Sequence, residues 1–490
     1  MMKFNKIKSC LAVVLTLLLA AGCSDFTDIQ PKGKSLLNTV NDLDLLLNQD
    51  KALTVRPLNN VGGSAIYSYD DVTANFLVEN KSLSTLLFGF FDDDASIKRI
   101  EELTTSDDYY STCYSWIGKM ANPILTQLSV ASGDDTKKNA LRSEALAWRA
   151  YGHYLILQKF AKAYNPAKAA QDPGVIYLTE DVDITQLQPK KTVQECYDLA
   201  LKDINEAISL DGVPKTPTSK QRLSKAAVYA IKAHICMAMQ KYTEAEDAAK
   251  KALELGGSLN NYWSNVTTKT NSFGGSYQES VFESLSDPEV YLCIPDYFNY
   301  LWVDPKDISQ IEPGYARWYL YPKSSDAYRG KPDDGEPSPD ERVGLPGWDG
   351  PASDYSTHDN ISGLAAPNMY LIIAEAELRK GDIGEAMHNL DILRQSRLPE
   401  DKYQPLQGVV TTKGEAIKKL QQVSFEELLF TGWTFMQRKR WNTESEWATT
   451  LSRTIAGVTY TLEPGSNLWV FPIPKPARDA NPNLTSNKNK

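Results

Sequence analysis

Ser224–Leu255 reads SKAAVYAIKAHICMAMQKYTEAEDAAKKALEL, and Asn368–Ser396 reads NMYLIIAEAELRKGDIGEAMHNLDILRQS. Laid over each other at one offset of 141 residues and no gap, Tyr229 falls on Tyr370, Ala233 on Ala374, Tyr242 on Ile383, Glu244 on Glu385 and Ala245 on Ala386. In each copy a helix with alanine at its crossing point passes through a short turn into a second helix that begins Glu-Ala; the turns are Gln240-Lys241-Tyr242 and Gly381-Asp382-Ile383. Alanine lets two helix backbones approach closely, so each copy predicts a packed helical hairpin. The alternative is two unrelated amphipathic pairs; five matches over seventeen residues at one offset favour an internal repeat. Such units bury their faces only against neighbours, so further pairs are expected, from 141–160 with 192–209 and from 415–440 with an adjoining helix.

Outward from the repeat, Leu141, Ala145, Trp148, Tyr151 and Leu155 recur at three- and four-residue steps and predict a helix over Lys137–Phe160 with one face in the core. Thr192-Val-Gln-Glu195 reads as a capping box ahead of Leu199, Ile204, Ala207 and Ile208. The paired helices, with Ala252 as a third small position, resemble the tetratricopeptide repeat.

The N-terminus reads as an export signal. Lys3, Lys6 and Lys8 precede an apolar run, Leu11–Ala21, that ends in Ala-Ala-Gly-Cys23. Eleven residues are too few to span a hydrocarbon core of about 30 Å. The small residues before Cys23 predict a lipoprotein signal peptide over 1–22, a lipidated Cys23, and a linker to residue 36 carrying Pro31 and Gly33. A plain secretory signal with a chance cysteine is the lesser alternative.

The 490 residues, 42% hydrophobic and 23% charged, suffice for a large globular core. The formal charge is −10, and near −13 once the three leader lysines are gone, which argues against nucleic acid as a partner. Beyond Cys10 and Cys23, the cysteines Cys113, Cys196, Cys236 and Cys293 form no C-x-x-C pair and read as buried core residues. His153, His234, His358 and His388 make no H-E-x-x-H, and no G-x-S-x-G elbow is present. The acidic runs Asp92-Asp93-Asp94 and Asp333-Asp334-Gly335-Glu336 read as solvated loops, since two glycosidase carboxyls need a spacing of about 5–10 Å that sequence alone cannot supply. No catalytic residue, metal site or cofactor is assigned.

Several segments resemble the SusD/RagB family. Ser143-Glu-Ala-Leu-Ala-Trp-Arg-Ala-Tyr-Gly-His-Tyr154 is similar to its first long helix and Tyr197–Ile208 to the partner, Gln221–Ala227 to the start of its second repeat, and Tyr370–Glu377 with Asn389–Arg394 to its third. Leu468-Trp-Val-Phe-Pro-Ile-Pro474 and Ala480-Asn-Pro-Asn-Leu484 resemble its C-terminal signature, which no helix periodicity would predict. One stretch departs from the pattern. Where the family commonly has an acid, Gly, His and Arg ahead of Asp-Leu-Arg-Arg-Trp, this chain has Thr431–Trp441, keeping Gly432, Arg438, Arg440 and Trp441 but neither the His nor the Asp, so a polar network built on those two must differ here. The resemblance implies a mostly α fold of tetratricopeptide-like helix pairs in a right-handed superhelical scaffold with long irregular loop insertions. It implies one domain over 37–490, with helical regions at about 137–255 and 368–441, a loop-rich ligand-binding insert at about 256–367 and the signature at 468–484. It further implies an outer-membrane lipoprotein facing the cell exterior, with Asp25 and Asp28 after Cys23 as the surface-export signal. Such a protein would bind an oligo- or polysaccharide and deliver it, without catalysis, to a SusC-like TonB-dependent transporter. A peptide-capturing RagB-like protein and a non-binding helical scaffold of a transporter complex are the alternatives.

The ligand site is argued from chemistry. A sugar presents an apolar C–H face and a belt of hydroxyls, so its sites want aromatic platforms flanked by polar groups. Asp287–Asn360 carries twelve aromatics in 74 residues, about 16% against 10% for the whole chain, in a Pro-, Gly- and Asp-rich context. Any one of them packing the loop's own small core is the ordinary reading. The candidate ligand-binding residues are Trp302, Trp318, Tyr321 and Trp263, with Tyr67 and Asp70 second. Trp148, Trp433, Trp441 and Trp469, in helical or terminal motifs, are expected in the core.

Overall fold

The computed structural model describes residues 37–49, 51, 109–265, 267–270, 276–279, 287–294, 311–316, 363–428, 431–455 and 458–485. The chain enters through α1 (Val40–Leu46), whose N-terminus is closed by a reciprocal Thr39–Asp42 capping box. α2 (Tyr109–Ser115) widens into a π turn at Trp116–Ala121 before α3 (Asn122–Gln127). Pro123, which has no amide hydrogen to give and whose ring crowds the carbonyl one turn back, sits just past that wide turn.

α4 (Asp135–Phe160) is the axis of the first half. Asp134 caps it by accepting from the Lys137 amide at 2.8 Å, and almost every side chain beyond Leu141 is buried. Trp148 is fully buried, as the sequence reading expects. α5 (Val193–Leu210) begins at the predicted capping box, with the Thr192 amide donating to Glu195 at 2.8 Å and the Glu195 amide to Thr192 Oγ1 at 3.1 Å. α6 (Lys225–Ala238) and α7 (Tyr242–Leu255) form one copy of the repeat, and α8 (Ala366–Lys380) with α9 (Ile383–Gln395) the other. The offset of 141 residues holds to the backbone. Gln240 and Gly381, the paired turn residues, both take left-handed conformations with φ of 59° and 92°. Ala233, Ala374, Ala245, Ala386 and Ala252 are all fully buried.

From α4 through α10 (Lys413–Glu427) each helix packs on the next. The first helices of successive pairs, α4, α6, α8 and α10, also touch one another. That is the tetratricopeptide-like arrangement of the sequence reading, and the chain is mostly helical. Although 110 residues separate α7 from α8 in sequence, the two helices lie against each other. Within the connection, the antiparallel pair β3 (Val290–Leu292) and β4 (Leu364–Ala365) packs against α6, with Leu292 and Leu364 in the core. A second ladder pairs β1 (Thr267–Thr270) with β2 (Ser276–Glu279) within the connection, and a third pairs β5 (Leu451–Ile455) with β6 (Val458–Leu462).

One expectation is corrected. The stretch 415–440 is two helices rather than one, because α10 ends at Glu427 and α11 (Trp433–Trp441) starts afresh. Gly432 keeps helical angles but makes no side-chain cap, and the Thr431 hydroxyl takes the Leu428 carbonyl at 2.7 Å, closing the end of α10. α11 crosses back to α4, where the buried Lys439 ammonium donates to the carbonyls of Gln158 at 2.7 Å and Ala161 at 2.6 Å, satisfying the helix end. Arg440 pairs bidentately with Glu375 at 2.5 and 2.7 Å, and the Trp441 indole donates to the same carboxylate at 3.0 Å. In place of the family's histidine, Trp433 stacks on His234 with ring centroids 4.0 Å apart and donates to the Gly363 carbonyl. The C-terminal signature closes on α12 (Lys475–Ala480), with Trp469, Ile473 and Leu484 buried. Cys113, Cys196, Cys236 and Cys293 are all buried, as the sequence reading expects. Among the described residues, no helix is long and apolar enough to cross a membrane.

Candidate functional site: the root of the insert

The insert leaves α7 at Gly256, where there is no room for a side chain: a Cβ would lie 2.3 Å from the Tyr291 ring. Six residues on, a single 3-10 turn, Tyr262–Asn265, brings two aromatics to the scaffold. Tyr262 is buried and Trp263 half-buried. What holds that turn is Arg397, just past the end of α9 and fully buried.

The Arg397 guanidinium reaches three directions at once. Nη2 donates to Glu289 at 2.8 and 3.1 Å, Nε to Glu427 at 2.8 and 3.1 Å, and Nη1 to the Asn260 carbonyl at 2.8 Å. The Tyr262 ring lies 4.5 Å from its central carbon, a cation–π contact. The Tyr262 hydroxyl sits 2.6 Å from Glu289 and 2.8 Å from Asp287, and the Tyr315 hydroxyl donates to Glu427 at 2.9 Å. The backbone joins in. The Arg397 carbonyl accepts from the Ala316 amide at 2.8 Å and from the Trp263 indole at 2.9 Å, an N–H that is shared with the Gly314 carbonyl at 3.0 Å. One residue thus gathers 260–263, 287–289, 314–316 and the end of α10.

Its electrostatics are unbalanced. Glu289 and Glu427 pair with the guanidinium of Arg397, Asp287 stands behind the Tyr262 hydroxyl, and all four charged side chains are at most 2% exposed. Burial, reinforced by Asp287 and Glu427 and opposed by Arg397, pushes the Glu289 carboxyl up to about 7. Nearby Glu426 is also pushed up to about 7, chiefly by burial, while accepting from the Glu312 amide at 2.8 Å and Gln422 at 2.9 Å. Glu375 shows the contrast. Burial would raise it, but Arg440 and Arg379 outweigh that and hold it at about 2. With its carboxyls sealed from solvent, the Arg397 cluster is built to hold chain rather than to meet a substrate.

Of the sequence-derived candidates, Trp263 is described, and its indole nitrogen is engaged internally. Trp302, Trp318, Tyr321, Tyr67, Asp70 and Cys23 lie outside the described residues. Within the aromatic-rich span, Tyr291 and Tyr315 are described, and both pack the core. The sequence reading missed Arg397, Glu289 and Glu427. Their signal was an acid set directly ahead of the apolar run Val290–Ile294, and the closely spaced Arg394 and Arg397 and the adjacent Glu426 and Glu427. A cavity of about 30 Å³, lined by Tyr154, Gln158, His234, Glu375, Trp433 and Arg440 among others, has room for a water and not for a sugar ring. Among the described residues, no group of three or more His, Cys, Asp or Glu could hold a metal ion.

Residues 33–237 match the SusD-like family model described as "Starch-binding associating with outer membrane". Across the whole chain, the fold is similar to a SusD superfamily protein from Bacteroides thetaiotaomicron VPI-5482, with TM-score 0.63 and 19% identity over 92% of this chain and 100% of that one. It is also similar to a SusD-like carbohydrate binding protein from Bacteroides vulgatus ATCC 8482, with TM-score 0.60 and 14% identity over 92% and 98%. Another of that description, from Bacteroides fragilis NCTC 9343, gives 0.56 and 15% over 92% and 99%. No curated protein matches the chain. The chain thus matches the SusD-like sequence model over 33–237 and shares the SusD-like fold over 92% of its length.

Proposed function

We propose that this protein is a lipid-anchored outer-membrane protein, facing the cell exterior, that captures an oligo- or polysaccharide and hands it to a SusC-like TonB-dependent transporter without chemistry of its own. The observation that carries the reading is the SusD-like fold, whose helical stack serves as a rigid base for an aromatic-rich insert. Support for a sugar comes from that composition and from the family's description as starch-binding and associated with the outer membrane. The candidate platforms Trp302, Trp318, Tyr321 and Trp263, with Tyr67 and Asp70, would each offer a ring face or a polar group to a saccharide. Cys23 would carry the anchor. An open site with a few platforms binds weakly, with Kd of about 10⁻³ to 10⁻⁵ M, and long chains gain by touching several.

The test is capture from the membrane that the protein is proposed to occupy. An affinity-tagged full-length chain should co-purify, from detergent-solubilised outer membrane of its native host, with a TonB-dependent barrel. Cys23→Ala should release it into the soluble fraction. A wild-type chain recovered without any barrel would remove the transporter role, and a Cys23→Ala chain that stays with the lipid would remove the anchor.

A further inference from the structure

We infer that Arg397 is a positioning residue for the ligand platform: its guanidinium and its carbonyl together hold the turn that carries Trp263, so that the indole meets ligand as a fixed surface. The inference rests on the reading of Trp263 as a platform, but its structural half stands by itself. A backbone carbonyl at 397 would accept from Trp263 whatever side chain it carried. The guanidinium adds a grip on the same turn, since it takes the Asn260 carbonyl three residues upstream and lies on the Tyr262 ring between the two points. It also binds Glu289, whose second oxygen accepts from the Asn260 amide at 2.8 Å, so both polar groups of the Asn260 backbone are fixed by one ion pair. On the far side, Glu427 anchors the pair to α10, and Tyr315 anchors the returning segment to Glu427. A rigid platform loses less freedom on binding a weak ligand, which is where such a brace acts on affinity.

The brace carries a pH dependence. Facing Arg397 are Glu289 and Tyr262 from the insert and Glu427 from α10; Asp287 lies behind the Tyr262 hydroxyl with Lys220 and Cys293 near it, and Tyr315 binds Glu427. At acid pH the proton on Glu289 removes its repulsion by Asp287 and Glu427, and that repulsion returns as the proton leaves with rising pH. The turn at 260–263 should therefore open more readily at pH 8 than at pH 6.

The experiment follows the Trp263 indole N–H in the full chain labelled with ¹⁵N-tryptophan, assigned by loss of its signal in Trp263→Phe. Arg397→Lys keeps the charge but not the fork, and Glu427→Gln keeps the shape but not the charge. We expect each to speed exchange of that proton by about tenfold or more after correction for intrinsic rates. The Trp469 indole, which donates to the Glu463 carbonyl at 2.8 Å elsewhere in the fold, should be unchanged. In the wild type, corrected exchange at Trp263 should rise between pH 6 and 8, and that rise should flatten in Glu427→Gln. Unchanged exchange at Trp263 in folded Arg397→Lys overturns the inference; if that variant does not fold, unchanged exchange in Glu427→Gln does so. Retention on amylopectin, xylan and laminarin separates the two claims. If Trp263→Ala leaves retention intact while Arg397→Lys frees the indole, the brace stands and the platform reading falls. If Trp263→Ala abolishes retention and Arg397→Lys leaves the indole locked, the brace falls alone.

Discussion

Gly381 and Gln240 do the same work in the two copies of the repeat, and only one of them is suited to it. Both turn the chain through left-handed backbone between paired helices. Glycine reaches that region freely, whereas a residue with a Cβ is strained there. A Cβ at Gly381 would meet nothing within 4 Å, so Gly381→Ala tests the backbone alone and should destabilise by about 1 kcal/mol in denaturant unfolding. Gln240→Gly should stabilise by about 0.5–1 kcal/mol, its side chain making only long contacts of 3.3 and 3.4 Å. Glu426 gives a pH prediction. Its carboxyl is raised in the fold, so its favourable share of stability is complete below the unfolded value near 4.5 and is lost as pH rises through about 7. Glu426→Gln should therefore gain on the wild type by on the order of 1–3 kcal/mol between pH 5 and 8. A constant difference across that range would mean that Glu426 is ionised throughout.

At the scale of elements, the stack rests on small residues where helices cross. Ala374 is fully buried between α8 and its neighbours, and Ala374→Leu should cost about 1–3 kcal/mol by overpacking, read as a lower denaturation midpoint. Thr192→Ala, which removes one half of a capping box, should cost about 1 kcal/mol. These elements were the legible part of the sequence. The Thr192–Glu195 box, the Leu141–Leu155 stripe and the alanine offset are local patterns, set by the helix period and by the donors that a helix end leaves open. The end of α10 was harder to see because apolar residues follow it in sequence; in the fold it is marked by the Thr431 hydroxyl donating to the Leu428 carbonyl. The Arg397 junction was hidden for another reason. It joins residues 260, 289, 315, 397 and 427, and no periodicity announces a contact made across so much chain.

For the whole molecule, the stack explains how a long insert can vary without endangering the fold. α7 and α8 pack together regardless of what is looped out between them, and β3 with β4 draws the two ends to one edge. The SusD-like fold was legible in the repeats, but the ligand was not, since aromatic content alone does not say which rings face outward. The direct measurement is affinity electrophoresis of the mature chain, residues 24–490, through gels containing polysaccharides and, in parallel, calorimetry with oligopeptides. Each run should include the wild type and the combined Trp263→Ala, Trp302→Ala and Trp318→Ala variant. The account predicts that at least one polysaccharide retards the wild type, that the variant runs free while remaining folded, and that the polysaccharide is recovered uncut. Retardation that survives the triple substitution would contradict the aromatic site, and binding of peptides alone would contradict the sugar.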